Sequence, residues 1–285
     1  MGTKNPNYIN KIKESNSKSW TNERKIKQKE TDGASNAASC PVTAESTRWL
    51  ALWMAYDDII QVAFLKSRAH RWQRVSEDFA AFDVDVTTEQ PSADALNRTD
   101  ESDQTYGTEV LITGDPIIFK ACSCSGLAYL GSFDMSGTQH AANQPAWVFT
   151  LGVGDNPKFI AESVTHEVGH TVGLSHDGSN SGAYYPGNDG WAPIMGVGFY
   201  QPLTQWSKGE YPGANNTEDE YSVMAKHGLN QRVDEDGNSE ATARSIKVGQ
   251  TLGGVISSPN DVDYFSFKAP STGDYTIAGL PATFG

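Results

Sequence analysis

The spacing of apolar residues divides the chain into a polar start, an α+β body and a β-rich end. Residues 1–45 are polar and charged and contain few large apolar side chains, which predicts a disordered lead-in or the remnant of a pro-segment. Residues 49–65 are the most apolar early stretch, but Asp57 and Asp58 interrupt it. We therefore expect a helix or a strand there rather than a membrane anchor.

The body is predicted to contain one amphipathic helix, four strands and a second helix. Apolar residues recur at steps of three and four from Trp72 to Phe82, as on one face of a helix. Alternation predicts a strand at 82–86, and short apolar runs predict strands at 109–113, 126–131 and 147–150. A second helix then begins near Pro157. Further along, a closing helix is expected at 218–227, with Thr217 as its N-cap.

The second helix carries the most informative residues of the chain. Three of the six histidines, His166, His170 and His176, fall within eleven residues. On a helix, His166 and His170 project from one face, and Glu167 between them can reach a metal-bound water without binding the metal. Gly173 permits a left-handed turn that returns His176 as a third ligand. Three imidazoles with an open fourth position predict one catalytic Zn²⁺.

This pattern resembles the HExxHxxGxxH signature of the metzincin zinc endopeptidases. Asp177, directly after the third histidine, is similar to the adamalysin/reprolysin branch. The resemblance implies a metzincin-like catalytic domain at 46–232, with a twisted, mostly parallel sheet, an active-site helix and a methionine turn. Residues 193–196 match that turn and would place Met195 beneath the histidines without binding the metal. Residues 1–65 match no part of the family pattern.

The resemblance also suggests roles for residues near the site. Asp177 is expected to support the site through hydrogen bonds, with an unrelated salt bridge as the alternative. The strand at 126–131 would be an exposed edge to which an extended peptide adds, with an ordinary internal strand as the alternative. Some metzincins place a tyrosine two residues after the methionine. Val197 occupies that position here, so that role is not carried over, and Tyr200 lies too far along the chain to match.

Residues 233–285 resemble the start of the bacterial pre-peptidase C-terminal domain, mainly through the run Asp261–Phe267. The resemblance implies a partial β-sandwich, with strands at 249–256 and 261–267. The acidic run 234–238 is expected to be a solvated linker. A Ca²⁺ site is the alternative, although the run lacks the twelve-residue EF-hand pattern.

Composition narrows the class of partner. The formal net charge of −13 argues against nucleic acid and anionic membranes, and no apolar stretch is long enough to span a membrane. No signal peptide is visible, although the resemblance implies a secreted protein, expected to be a monomer. The cysteines are Cys40, Cys122 and Cys124. Because the last two are too close to pair readily, Cys40 with one of them, or bridges to cysteines outside this chain, are the options.

The sequence therefore predicts a secreted zinc-dependent endopeptidase that hydrolyses protein or peptide substrates. Glu167 would be the general base that removes a proton from the zinc-activated water. Two alternatives belong to other classes: a zinc-binding but non-catalytic peptide-binding or adhesion module, and a different zinc hydrolase such as a deaminase or amidase. The intact Glu167 argues against the module. A deaminase would instead carry an HxE motif with paired cysteines.

Overall fold

The computed structural model describes residues 48–54, 61–89, 91–114, 120, 123–258 and 260–280. The predicted lead-in at 1–45 lies outside these ranges. The strands are β1 Arg48–Met54, β2 Asp85–Thr87, β3 Tyr106–Thr113, β4 Gly126–Leu127, β5 Ala146–Phe149, β6 Trp191–Pro193, β7 Leu203–Gln205, β8 Arg244–Ser245 and β9 Phe265–Ser266. The α-helices are α1 Gln61–Asp78, α2 Ala93–Leu96, α3 Gly137–Ala142, α4 Thr150–Val153, α5 Pro157–Thr171 and α6 Glu220–Lys226, and a 3₁₀ helix spans Glu240–Thr242.

A five-stranded sheet in the order β2-β1-β3-β5-β4 forms the frame of the body. β1 is parallel to both β2 and β3, and β3 is parallel to β5. β4 lies at one edge and is antiparallel to β5. The α+β class is therefore confirmed, and the pairing in this sheet is mostly parallel.

The first strand lies within residues 1–65, which match no part of the family pattern in sequence. Residues 48–54 form β1, which lies between β2 and β3 within the sheet. Residues 49–65, which were predicted to form a helix or a strand, contain parts of both. Strand β1 ends at Met54, and helix α1 begins at Gln61.

The predicted edge strand at 126–131 is much shorter in the structure. Only Gly126 and Leu127 pair with β5. The chain then turns, and the backbone N–H groups of Gly131 and Phe133 donate to the carbonyls of His170 and Thr171, both at 2.9 Å. These residues therefore satisfy the C-terminal carbonyls of α5 instead of extending the strand.

Two further boundaries differ from their predictions. The strand predicted at 82–86 begins only at Asp85, and Phe82 instead forms an isolated bridge with Gln231. The closing helix α6 begins at Glu220, and its N-cap is Asp219 rather than Thr217. The Asp219 carboxylate accepts a hydrogen bond from the backbone N–H of Ser222 at 3.2 Å.

Helix α5 is held in the centre of the body by its apolar residues and its cap. The Asn156 side chain accepts a hydrogen bond from the N–H of Lys158 at 3.0 Å, and Pro157 occupies the first turn. Ile160, Val164 and Val168 are buried in the hydrophobic core. Because α5 also contacts α1 and β5, the helix that carries two of the histidines is fixed on both sides.

At the C-terminal end, β8 and β9 form a small parallel pair. The strand predicted at 249–256 does not form. Gly249 has a left-handed φ of 79°, and the N–H of Gln250 closes a turn on the Lys247 carbonyl at 3.0 Å. The partial β-sandwich and the domain boundary at 232–233 stay predictions. Within the described ranges, no helix is long and apolar enough to cross a membrane.

Asp78, the last residue of α1, connects this helix to α5 and to the segment that follows β7. Its carboxylate accepts a hydrogen bond from the Thr165 hydroxyl at 2.6 Å, and its backbone carbonyl accepts one from the Trp206 indole at 2.7 Å. Burial raises the pKa of Asp78 from 3.8 to about 7. The folded state therefore favours the protonated carboxyl.

This shift predicts a pH-dependent effect of Asp78→Asn on stability. The folded protein holds the Asp78 proton to a higher pH than the unfolded chain, so wild type loses stability as pH rises from about 4 to about 7. The loss from this group is at most roughly 4 kcal/mol. Asparagine does not titrate, so the stability of Asp78→Asn relative to wild type should increase over that range. Urea unfolding at pH 5 and pH 8 measures this difference, and an equal difference at both values would contradict it.

Candidate metal centre

Three histidines converge at the C-terminal end of α5. His166, His170 and His176 each place one ring nitrogen so that the three atoms lie within 4.8 Å of one another. The ring centroid of His166 lies 4.9 Å from that of His170 and 5.3 Å from that of His176. The structure therefore brings together the three residues that the sequence selected as metal ligands.

The turn that returns His176 depends on Gly173. Gly173 has a φ of 91°, and its N–H donates to the His170 carbonyl at 2.9 Å. A Cβ at this position would lie 2.3 Å from Cδ2 of His227, so the site also lacks space for a side chain. Beyond the turn, the N–H of Ser175 donates to the Glu218 carboxylate at 2.8 Å. Gly173 thus has the left-handed conformation that its position in the motif predicts.

Hydrogen bonds from the outer ring nitrogens orient two of the histidines. Nδ1 of His166 donates to the Ile194 carbonyl at 2.9 Å, and Nδ1 of His170 donates to the Leu174 carbonyl at 2.8 Å. A carbonyl can only accept, so each Nδ1 carries the proton and each Nε2 keeps its lone pair. This is the second contact that metal-binding histidines usually make.

The donor set fits a zinc ion. Nε2 of His170 lies 2.9 Å from Nε2 of His176, and facing lone pairs at that distance repel unless a proton or a cation lies between them. Burial lowers the pKa of all three imidazoles, that of His166 to about 3. Neutral imidazoles are the form that binds metal, and three of them are a known catalytic zinc donor set.

Met195 packs against the helix that carries His166 and His170. Its side chain is fully buried, and a Cβ added to Gly169 would lie 2.4 Å from its sulfur. The carbonyl of Ile194 accepts the His166 hydrogen bond, and the carbonyl of Met195 accepts one from the N–H of Asp177 at 2.8 Å. Residues 193–196, the methionine loop, thus contact both the helix and the residue after His176. Sequence reasoning selected Met195 but missed Gly169, whose lack of a side chain makes room for the sulfur.

The backbone of Asp177 bonds to the segments that follow it: its N–H donates to the Met195 carbonyl, and its carbonyl accepts from the N–H of Tyr185. Its carboxyl is buried, and burial raises its pKa to about 6. Among the residues that the structure describes, Asp177 forms no ion pair. The predicted support of the site by the Asp177 side chain therefore stays a prediction.

Glu167 lies between the histidines and the edge strand. Its side chain is 5% exposed, and burial raises its pKa to about 8. A Cβ on Gly126 of β4 would lie 2.4 Å from Oε1 of Glu167 and 2.5 Å from its Cγ. The carboxyl group therefore packs on the backbone of the edge strand, at a glycine whose role the sequence did not reveal.

Apolar side chains lie exposed where the chain leaves this edge. Leu127, Tyr129 and Leu130 are 52%, 58% and 60% exposed. Tyr184, which the sequence also did not indicate, packs on the site, with its ring centroid 4.4 Å from that of His176. No pattern in the sequence could have indicated Tyr184, because the loop that positions it is irregular.

A second group of acids lies at the C-terminal end. Carboxylate oxygens of Asp234, Asp261 and Asp263 lie within 4.8 Å of one another, whereas Asp236 of the same acidic run pairs with Arg244 at 2.6 Å. Exposed acids often group in this way without an ion. The Ca²⁺ alternative stays a prediction.

The structure shows one of the cysteines in a disulfide bond. Cys124 is disulfide-bonded. Cys40 and Cys122 lie outside the described residues.

Comparisons with known proteins identify no family for the chain. A family model described as a family of unknown function, DUF6537, matches residues 23–124, which end before the first metal-site histidine. No curated protein matches the chain. A crystal structure of myroilysin and a second myroilysin structure are each similar at 12% identity and a TM-score of 0.27. The similarity covers 51% of this chain and 56% and 62% of theirs, so the chain spans less than two thirds of those structures.

The geometry of the three histidines predicts one bound zinc per chain. Replacement of His166, His170 or His176 by alanine should in each case weaken zinc binding by more than roughly 100-fold. The loss of a metal ligand costs more affinity than the loss of a residue that only orients a ligand. Competition with a chromophoric chelator measures the affinity. His70→Ala is the matched control and should bind zinc as wild type does. Unchanged zinc affinity in His176→Ala would show that the third ligand is misassigned.

Proposed function

We propose that the chain is a zinc-dependent endopeptidase. The observation that carries this proposal is the convergence of three imidazole nitrogens beside Glu167, which in turn packs against the edge strand of the sheet. A metal site, a carboxyl group and a strand edge are the parts that hydrolysis of an extended peptide needs, and here they lie next to one another.

His166, His170 and His176 would hold the ion, with Met195 packed beneath them. When bound, zinc supplies Lewis acidity, which activates water and polarises a peptide carbonyl. The chain contributes orientation, since the carbonyls of Ile194 and Leu174 fix two of the imidazole rings. A rigid donor set keeps the position opposite the three imidazoles open to water or substrate.

Glu167 would move the proton. A carboxylate oxygen of Glu167 would take a proton from the attacking water and then deliver it to the nitrogen of the departing amine. Its packing on Gly126 holds the carboxyl between the histidines and β4, where a peptide lying along the edge would present its carbonyl. The same group therefore serves both halves of the reaction.

β4 would position the substrate. It is the outermost strand of the sheet, so an extended peptide could add beside it through main-chain hydrogen bonds. The exposed Leu127, Tyr129 and Leu130 offer apolar contacts to substrate side chains. This favours protein or peptide substrates over small polar ones.

We also propose that the protein is secreted and monomeric. The disulfide bond at Cys124 supports an oxidising compartment, where such bonds persist. The acidic net charge of −13 suits an exported protein, and it keeps copies of the chain apart by mutual repulsion.

Glu167→Gln tests the proposed general base. Glutamine keeps the size of the side chain but cannot accept the proton, so peptide hydrolysis should fall by roughly 100- to 10,000-fold. Zinc binding should be unchanged, because Glu167 is not a ligand. Cleavage of a quenched fluorescent peptide and chelator competition measure the two quantities.

Two outcomes of this experiment separate the candidate functions. Full activity in Glu167→Gln would contradict the role of Glu167. A wild-type chain that binds zinc but cleaves no peptide would favour the non-catalytic binding module instead.

Gly126→Ala tests whether contact with β4 positions the carboxyl of Glu167. The added methyl group would lie 2.4 Å from Oε1 and must displace the side chain, so we expect at least a tenfold loss of kcat. Zinc affinity should stay the same, because none of the ligands lies among the atoms nearest to that methyl group. Gly273→Ala is the matched control, since nothing lies within 4 Å of the added atom there. Equal kcat values in the two variants would contradict the prediction.

A further inference from the structure

The ring of Tyr184 forms a wall of the metal centre. Its centroid lies 4.4 Å from that of His176 and 6.1 Å from that of His166. The side chain is 46% exposed, so one part of it contacts the histidines and another part faces solvent. A molecule bound at the three histidines would therefore meet Tyr184.

The backbone around Tyr184 is fixed by hydrogen bonds to both sides of the site. The N–H of Tyr185 donates to the Asp177 carbonyl at 2.7 Å, and the N–H of Val197 donates to the Tyr185 carbonyl at 3.0 Å. Asp177 directly follows the third histidine, and Val197 lies two residues after Met195. The segment thus runs between the residue after the third ligand and the methionine loop.

The side chain of Tyr185 helps to hold this segment in place. Its ring stacks on Tyr211 with centroids 4.1 Å apart and an angle of 4° between the planes, and the Tyr211 hydroxyl donates to the Gly178 carbonyl at 2.8 Å. With Tyr185 held against Tyr211, the backbone beside Tyr184 is held in place, and the ring of Tyr184 packs on His176.

The phenol of Tyr184 keeps its proton at neutral pH, because burial, followed by the negative charge of Glu167, raises its pKa above the ordinary value. A protonated phenol is a hydrogen-bond donor. Because the Tyr184 ring packs on His176, that donor lies beside the three imidazoles.

We propose that Tyr184 is a catalytic residue, whose phenolic O–H donates a hydrogen bond to the carbonyl oxygen of the scissile peptide bond as negative charge develops on it. This inference rests on the proposed endopeptidase function. Water attack moves the electron pair of the C=O bond onto that oxygen, and a donor already in place stabilises it without reorganisation. Collapse returns the pair to the carbonyl as the C–N bond breaks, and the phenol keeps its proton throughout.

Tyr184→Phe separates this role from packing on His176. Phenylalanine keeps the ring and removes only the donor. We expect kcat to fall by about 100-fold, as when one oxyanion donor is lost, with KM changed less than about threefold. The affinity for a phosphinic peptide, whose tetrahedral oxygens imitate the charged state, should fall by a similar factor in calorimetry. Zinc affinity, measured by chelator competition, should match that of wild type.

The exposed Tyr200 provides the matched control. It is 86% exposed, so Tyr200→Phe removes a phenolic hydroxyl outside the site and should leave all four quantities unchanged. An active wild type with an equally active Tyr184→Phe would overturn the assignment and leave the proposed function intact. Loss of zinc affinity in Tyr184→Phe would also overturn it, because the phenol would then hold the ligands rather than the substrate. A wild type that binds zinc without cleaving peptides would overturn both.

Discussion

The candidate site depends on three imidazoles that must present lone pairs to one point although they come from different parts of the backbone. A helix can supply only His166 and His170 to that point. His176 arrives through the turn at Gly173, and the methionine loop supplies the carbonyl that orients His166. If any of these segments moved, the three nitrogens could not meet within 4.8 Å. The core around α5 is therefore part of the site, since it holds those segments together.

The same packing explains why glycines recur around the metal centre. Gly169 leaves space for the sulfur of Met195, Gly126 leaves space for the carboxyl of Glu167, and Gly173 leaves space for His227. In each case, a Cβ would lie within 2.5 Å of a neighbouring side chain. Helix α5 and the turn that follows it can thus be approached closely by three other segments: the methionine loop, the edge strand and the end of α6. Ordinary side chains at these glycine positions would keep those segments farther away.

Much of the site could be predicted from the sequence, because its ligands follow helix geometry over a few residues. His166, Glu167 and His170 need only a helical turn, and Gly173 needs only a left-handed φ. Contacts between distant segments leave no such periodic signal. Gly126 and Tyr184 reach the site through sheet pairing and loop hydrogen bonds, so their positions required the fold. The early end of β4 has the same cause, since Gly131 and Phe133 bond to the carbonyls of α5 rather than to a strand.

The central claim is that the three histidines hold a zinc ion that the chain uses to cleave peptide bonds. The most direct measurement is hydrolysis of a quenched fluorescent peptide by the purified chain, first after treatment with a chelator and then after zinc is added back. We expect that the chelator abolishes cleavage and that one equivalent of zinc per chain restores it. Cleavage that persists in the metal-free protein, or zinc binding that restores no cleavage, would contradict it.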